Sequence, residues 1–123
     1  MGFTILIVDD NGSFLDAARA LLKREGLHVL GVASTSAQAL GRAEHLRPDV
    51  VLVDINLGGE SGFELAKLLV ADRSDNGSTV ILMSTNAEAD FADLIAESPA
   101  IGFLPKSELS AGAIGRILDR DIN

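Results

Sequence analysis

Five times along the chain a short stretch of β-branched and aliphatic residues appears, and the longer stretches between carry helical spacing. This alternation restricts the fold more than any other feature. The runs are Phe3–Val8, His28–Ala33, Val50–Val53, Val80–Met83 and Gly102–Leu104. Several are apolar on consecutive residues, as strands covered on both faces of a parallel sheet require. Between and after them, Phe14, Ala17, Ala18, Leu21 and Leu22 form one helical stripe, and Leu65, Leu68 and Leu69 another. Phe91, Leu94 and Ile95 make a third, and Ile114, Ile117 and Leu118 the last. A βα order repeated five times predicts a three-layer α/β fold. Pro105 cannot donate to a ladder, so it belongs at a strand end or sheet edge. Right-handed crossovers then favour a doubly wound, five-stranded parallel sheet in the order 2-1-3-4-5, with helices on both faces.

The element boundaries carry their own signals. Ser13 with Asp16, Thr35 with Gln38, and Ser61 with Glu64 each resemble a capping box. Gly26, Pro48 and Pro99 mark helix ends. The polar stretch Asp72–Ser78 reads as a surface loop between the third helix and fourth strand. No repeat, low-complexity tract or linker interrupts the pattern, and 123 residues suit one domain, taken as 1–123.

Composition narrows the function. Cysteine is absent, which excludes disulfides, thiolate metal sites and cysteine nucleophiles. Ten basic against eighteen acidic residues give a net charge of −8, which repels phosphate backbones and anionic membranes. No direct nucleic-acid or membrane partner is expected. No apolar run approaches the roughly 20 residues that span a bilayer. The start, MGFTILIVDD, lacks the basic region and cleavage site of a secretory signal, so a cytoplasmic location is expected.

In doubly wound sheets, ligands bind beyond the carboxyl ends of the strands, where the winding reverses. There the first strand ends in Val8-Asp9-Asp10 and the third in Val53-Asp54. These strands are neighbours in the expected order, so three carboxylates converge on one cleft. A lone aspartate at a strand end usually means only an exposed polar residue; three on adjacent strands go beyond that. Two unit charges about 4 Å apart repel by roughly 4 kcal/mol at an effective dielectric of 20, so the cluster needs compensation. With no His or Cys nearby, a hard divalent cation fits, magnesium first. The fourth strand ends in Ser84-Thr85 and the fifth is followed by Lys106, adding a hydroxyl and a cation. Each has an ordinary reading: Thr85 precedes Glu88 by three residues and is placed to cap the fourth helix, and Lys106 alone is a solvated lysine. The argument lies in their combination. His28 and His45 are expected on the surface. Gly58-Gly59 has no phosphate-loop pattern around it. The acidic run Glu88, Asp90, Asp93 and Glu97 reads as a solvated helix face.

With these residues in view, the chain resembles the receiver domain of bacterial two-component response regulators, the CheY-like family, over essentially its whole length. The stretches ILIVDDNGSF, RPDVVLVDINLGGESGFEL, VILMST and GFLPK resemble its motifs in order. The resemblance implies a phosphoacceptor switch in a phosphorelay. Asp54 takes a phosphoryl group from a sensor histidine kinase or phosphotransfer protein. Asp10 binds Mg2+ directly, Asp9 assists through water, and the Asn56 carbonyl and Asp54 complete the oxygens. Lys106 pairs with the phosphoryl group and Thr85 moves to hydrogen-bond it. The surface of helix four and strand five then changes, and a homodimer through that surface is a family-level expectation. The downstream effector is not named by the sequence. On this reading the chain is no enzyme beyond self-phosphorylation from a phosphodonor and slow autodephosphorylation. Two other readings stand beside it. One is a receiver-like scaffold that is never phosphorylated. The other is a haloacid-dehalogenase-like hydrolase, which requires D-x-D where this chain has Asp54-Ile55-Asn56 and a cap domain it lacks.

Several positions depart from the family pattern. Ser107 follows Lys106 where proline is usual, which puts the usual cis bond there in doubt. Gly58 stands where many members have proline, implying a looser loop. Asn86 follows Thr85 where a small residue is common, implying restricted access. Phe103 occupies an aromatic switch position without a hydroxyl and reads equally well as strand packing. Asp119 to Asn123 read as a trailing end without a linker helix.

Overall fold

The computed structural model describes residues 3–71, 79–85 and 88–122. Numbering only the strands of the main sheet, these are β1 (Thr4–Val8), β2 (His28–Ala33), β3 (Val50–Asp54), β4 (Thr79–Ser84) and β5 (Gly102–Pro105). They are parallel and lie in the order β2-β1-β3-β4-β5, the winding expected from the sequence. Pro105 ends the edge strand β5, where its missing N–H costs no ladder bond.

Five helices alternate with the strands: α1 (Gly12–Arg24), α2 (Ser36–Leu46), α3 (Gly62–Ala71), α4 (Ala92–Glu97) and α5 (Ala111–Ile122). The unbroken apolar runs follow from burial on both sides. Ile5 and Ile7 of β1 face a cluster with Leu15 and Leu22 of α1 and Ile114 and Ile117 of α5. Leu6 and Val8 face the opposite cluster, with Ala39 of α2 and Leu65 and Leu69 of α3. Each fully buried Ile or Leu side chain contributes about 2 kcal/mol by leaving water. The two faces together are the principal stabilising term.

Several local expectations need correction. The α1 cap is Asn11, whose side chain accepts from the Phe14 N–H at 3.1 Å, so the helix starts before Ser13. Thr35 does cap α2, accepting from the Gln38 N–H at 3.1 Å, and Ser61 accepts from the Glu64 N–H at 3.3 Å. In the α1 stripe Ala17 is exposed, and Leu15 is buried in its stead. Leu68 and Leu94 are 51% and 50% exposed. On α3 the inward face is Gly62, Leu65, Ala66 and Leu69, which turns Leu68 outward. On the other side, α4 is a short helix behind a 3-10 turn at Glu88–Phe91, and among its described side chains Phe91 and Ile95 are the ones that pack against the core. Residues 119–122 continue α5 as helix rather than trailing away from it. Asp72–Ser78 and Asn86 lie outside the described residues.

A two-residue antiparallel ladder, Asn56–Leu57 with Glu60–Ser61, follows β3 and was not anticipated. Its turn carries Gly58 at φ +70°, a left-handed conformation that proline cannot adopt. Glycine at this position therefore belongs to the loop's shape.

Candidate functional site: an acidic cleft with one lysine

Strand register builds the site. Val8 pairs with Val53, and an aspartate follows each, so Asp9 and Asp54 leave the sheet side by side. Asp54 in turn pairs with Met83, and Ser84 pairs with Pro105, which brings Thr85 and Lys106 to the same edge. All six residues singled out in the sequence, Asp9, Asp10, Asp54, Asn56, Thr85 and Lys106, line one cleft of about 620 Å³.

The floor of this cleft is charged and buried. Asp9 is fully buried, and its Oδ1 accepts from the Asn11 N–H at 2.9 Å, so the turn that caps α1 also holds this carboxylate. Its Oδ2 makes no hydrogen bond of good geometry; the Lys106 ammonium faces it at 2.5 Å as an ion pair. Asp54 is 6% exposed and opens to the cleft. Its Oδ1 accepts from the Asn56 N–H at 3.2 Å and its Oδ2 from Lys106 Nζ at 3.0 Å. Asp10 stands exposed at the rim, where its Oδ2 lies 3.2 Å from the place a Cβ on Gly58 would occupy.

Burial pushes the Asp54 carboxyl above its ordinary value; the Lys106 and Asn56 hydrogen bonds oppose this, and the Asp9 charge adds to it. Lys106 is also raised. Burial works to lower it, and its bonds to Asp9 and Asp54 outweigh that burial. At neutral pH the ammonium is therefore charged, and one cation answers to two buried carboxylates.

Oxygens of Asp9, Asp10 and Asp54 lie within 4.8 Å of one another. A wholly carboxylate donor set drawn from two adjacent strand ends has the chemistry of a site for a hard divalent ion. These residues fit such an ion.

The remaining candidates separate cleanly. Thr85 is exposed at the rim and does not cap α4, whose N-cap position is Phe91, with no side-chain cap. Among the described residues every peptide bond is trans, Lys106–Ser107 included. Phe103 packs inward on the α2–α3 side. His28 and His45 are exposed and outside the cleft, as are Asp90, Asp93 and Glu97. Three contributors were not anticipated. Phe14, read as plain core, places its ring 4.5 Å from Lys106 Nζ. Gly58 approaches Asp10, and Gly62 lies against the Asp54 carbonyl. The hydrophobic pattern marks Phe14 as apolar but carries no sign of the cation above it.

The doubly wound sheet, with an acid cluster where the winding reverses, defines a flavodoxin-like α/β protein with an acidic cleft at the carboxyl edge of its strands. Residues 5–114 match the family model of the response regulator receiver domain, and the chain belongs to that family of two-component signalling proteins. It is 30% identical over 118 residues to the DNA-binding response regulator MtrA of Mycolicibacterium paratuberculosis, covering 94% of this chain and 50% of that protein. The chain spans about half the length of the curated relatives it matches. Among solved structures it is similar to a CheY-like receiver domain protein from Methanospirillum hungatei, with a TM-score of 0.80 and 25% identity over 98% of this chain and 94% of that one. It is also similar to a response regulator from Burkholderia pseudomallei solved with a phosphorylated aspartic acid, calcium ion and citrate. There the TM-score is 0.79 and the identity 25%, over 95% of this chain and 66% of that one.

Proposed function

We propose that the chain is a phosphoacceptor switch that receives a phosphoryl group on Asp54 from the phosphohistidine of a sensor kinase or phosphotransfer protein. The observation that carries this reading is Asp54 itself: a nearly buried carboxylate open to the cleft, with Lys106 at 3.0 Å. One carboxylate oxygen attacks phosphorus while the P–N bond to the donor imidazole breaks, leaving an acyl phosphate and a neutral leaving group. Transfer of this kind asks for alignment and charge neutralisation more than proton movement, and Lys106 offsets the charge developing on the phosphoryl oxygens. Asp9, Asp10, Asp54 and the Asn56 carbonyl would hold Mg2+, which neutralises charge shared between these carboxylates and a phosphoryl group. The Burkholderia response regulator, solved with a phosphorylated aspartic acid and a calcium ion, supports both assignments.

The new group adds roughly one to two negative charges and several acceptor oxygens. Lys106 and Thr85 engage them and bias α4 and β5 between two arrangements. Moving such an equilibrium from 1:99 to 99:1 takes about 5.5 kcal/mol, within reach of several charge-assisted bonds. The α4–β5 surface is then what an effector, or a second copy of the chain, reads.

Incubation with a small-molecule phosphodonor and magnesium tests this directly. Intact mass should rise by one phosphoryl group, the gain should vanish in Asp54→Ala, and a chelator should suppress it. A gain that persists undiminished in Asp54→Ala defeats the reading.

A further inference from the structure

An ammonium group has three N–H donors. At Lys106 two carboxylate oxygens, Asp9 Oδ2 and Asp54 Oδ2, stand at 2.5 and 3.0 Å, and the face of the Phe14 ring stands at 4.5 Å from the same nitrogen. The lysine side chain is only 12% exposed, so little water competes for it. Phe14 is in the first turn of α1, directly behind the Asn11 cap, and the same short segment anchors Asp9.

We infer that Phe14 is a positioning residue for Lys106: its ring holds the ammonium inside the cleft as it shifts from the Asp54 carboxylate to a phosphoryl oxygen. The inference rests on the phosphoacceptor reading above. A ring face attracts a cation without a strongly directional bond, so the nitrogen can pivot over it without a partner being broken. A polar acceptor in its place would fix the lysine, and an aliphatic side chain would pack equally well but leave the third donor with nothing to face. Phe14 also packs against the α1–α5 core, so the test must separate packing from the cation contact.

Phe14→Leu keeps an apolar side chain and removes the ring; Phe14→Tyr keeps the ring. Both are compared with the wild type for phosphoryl uptake from a small phosphodonor, after circular dichroism has confirmed that each is folded. Uptake should slow about fivefold in Phe14→Leu and stay within about twofold of wild type in Phe14→Tyr. Independently of any phosphodonor, the Lys106 Hε protons should be shifted upfield by the ring in wild type and Phe14→Tyr, and return to the ordinary lysine position in Phe14→Leu. Wild-type uptake in Phe14→Leu, equal slowing in both variants, or unshifted Hε protons in the wild type each overturn the inference while leaving the phosphoacceptor reading intact. A wild-type chain that takes up no phosphoryl group overturns that reading and, with it, this one.

Discussion

Lys106 Nζ lies 3.0 Å from Asp54 Oδ2, joining residues 52 positions apart in the chain, and the same nitrogen pairs with the fully buried Asp9. The lysine is thus a structural counter-charge as well as a candidate reactant. Buried carboxylates stripped of their partner are costly, and the site's behaviour with mutation and pH follows from that dependence.

Lys106→Met should cost about 3 kcal/mol in chelator at neutral pH, because two buried acids lose their cation. Urea unfolding measures this, and a loss under about 0.5 kcal/mol contradicts the buried pairing. Magnesium should recover a larger share of stability in this variant than in the wild type.

The pH dependence has two parts with opposite windows. The Asp54 carboxyl is raised from 3.8, first by burial, so the folded state binds its proton more tightly than the unfolded state. As pH climbs from 3.8 through the raised value, this residue's contribution to stability falls. Asp54→Asn should therefore gain on the wild type across that interval. Lys106 is raised from 10.5, so its contribution is complete below 10.5 and is lost as pH rises through the folded value. Urea titrations at a series of pH values, in chelator, check both slopes.

Gly62 has no room for a side chain. A Cβ there would stand 2.0 Å from the Asp54 carbonyl oxygen and 2.7 Å from the Ile55 Cα, both backbone atoms that cannot swing aside. Gly62→Ala should lose about 3 kcal/mol and displace Asp54, whereas Gly59→Ala, with nothing within 4 Å, should melt near wild type. Thermal melts of the two variants, measured side by side, decide the point.

Gly58 is a separate case, limited by conformation. At φ +70° an alanine costs about 1 kcal/mol, and its Cβ would stand 3.2 Å from Asp10 Oδ2. Proline should cost more, since its ring holds φ near −65°. Isothermal titration should show weaker magnesium binding in Gly58→Ala, because Asp10 must move.

Much of the site was legible because strands of a parallel sheet end at one edge. Asp9, Asp10, Asp54, Thr85 and Lys106 each follow an apolar run, so knowing the winding was enough to gather them. Leu68, Leu94 and Ser13 were misread for local reasons: a helix's inward face and first residue depend on what it packs against. The cap is Asn11 rather than Ser13 because the helix begins at Gly12, leaving Asn11 extended at φ −95° and ψ 108° with its side chain on the Phe14 N–H.

What the sequence determined by itself is the alternation of elements, the burial of the sheet on both faces and the acids at its carboxyl edge. All three are periodic or positional properties, written in the spacing of apolar residues. Only the tertiary structure decided that Val8 pairs with Val53, that one ammonium reaches both Asp9 and Asp54, that a phenylalanine ring lies over it, and that Gly62 is pressed against a carbonyl. Those are contacts across space between distant segments. Their distances are set by how whole layers pack, which no local periodicity encodes.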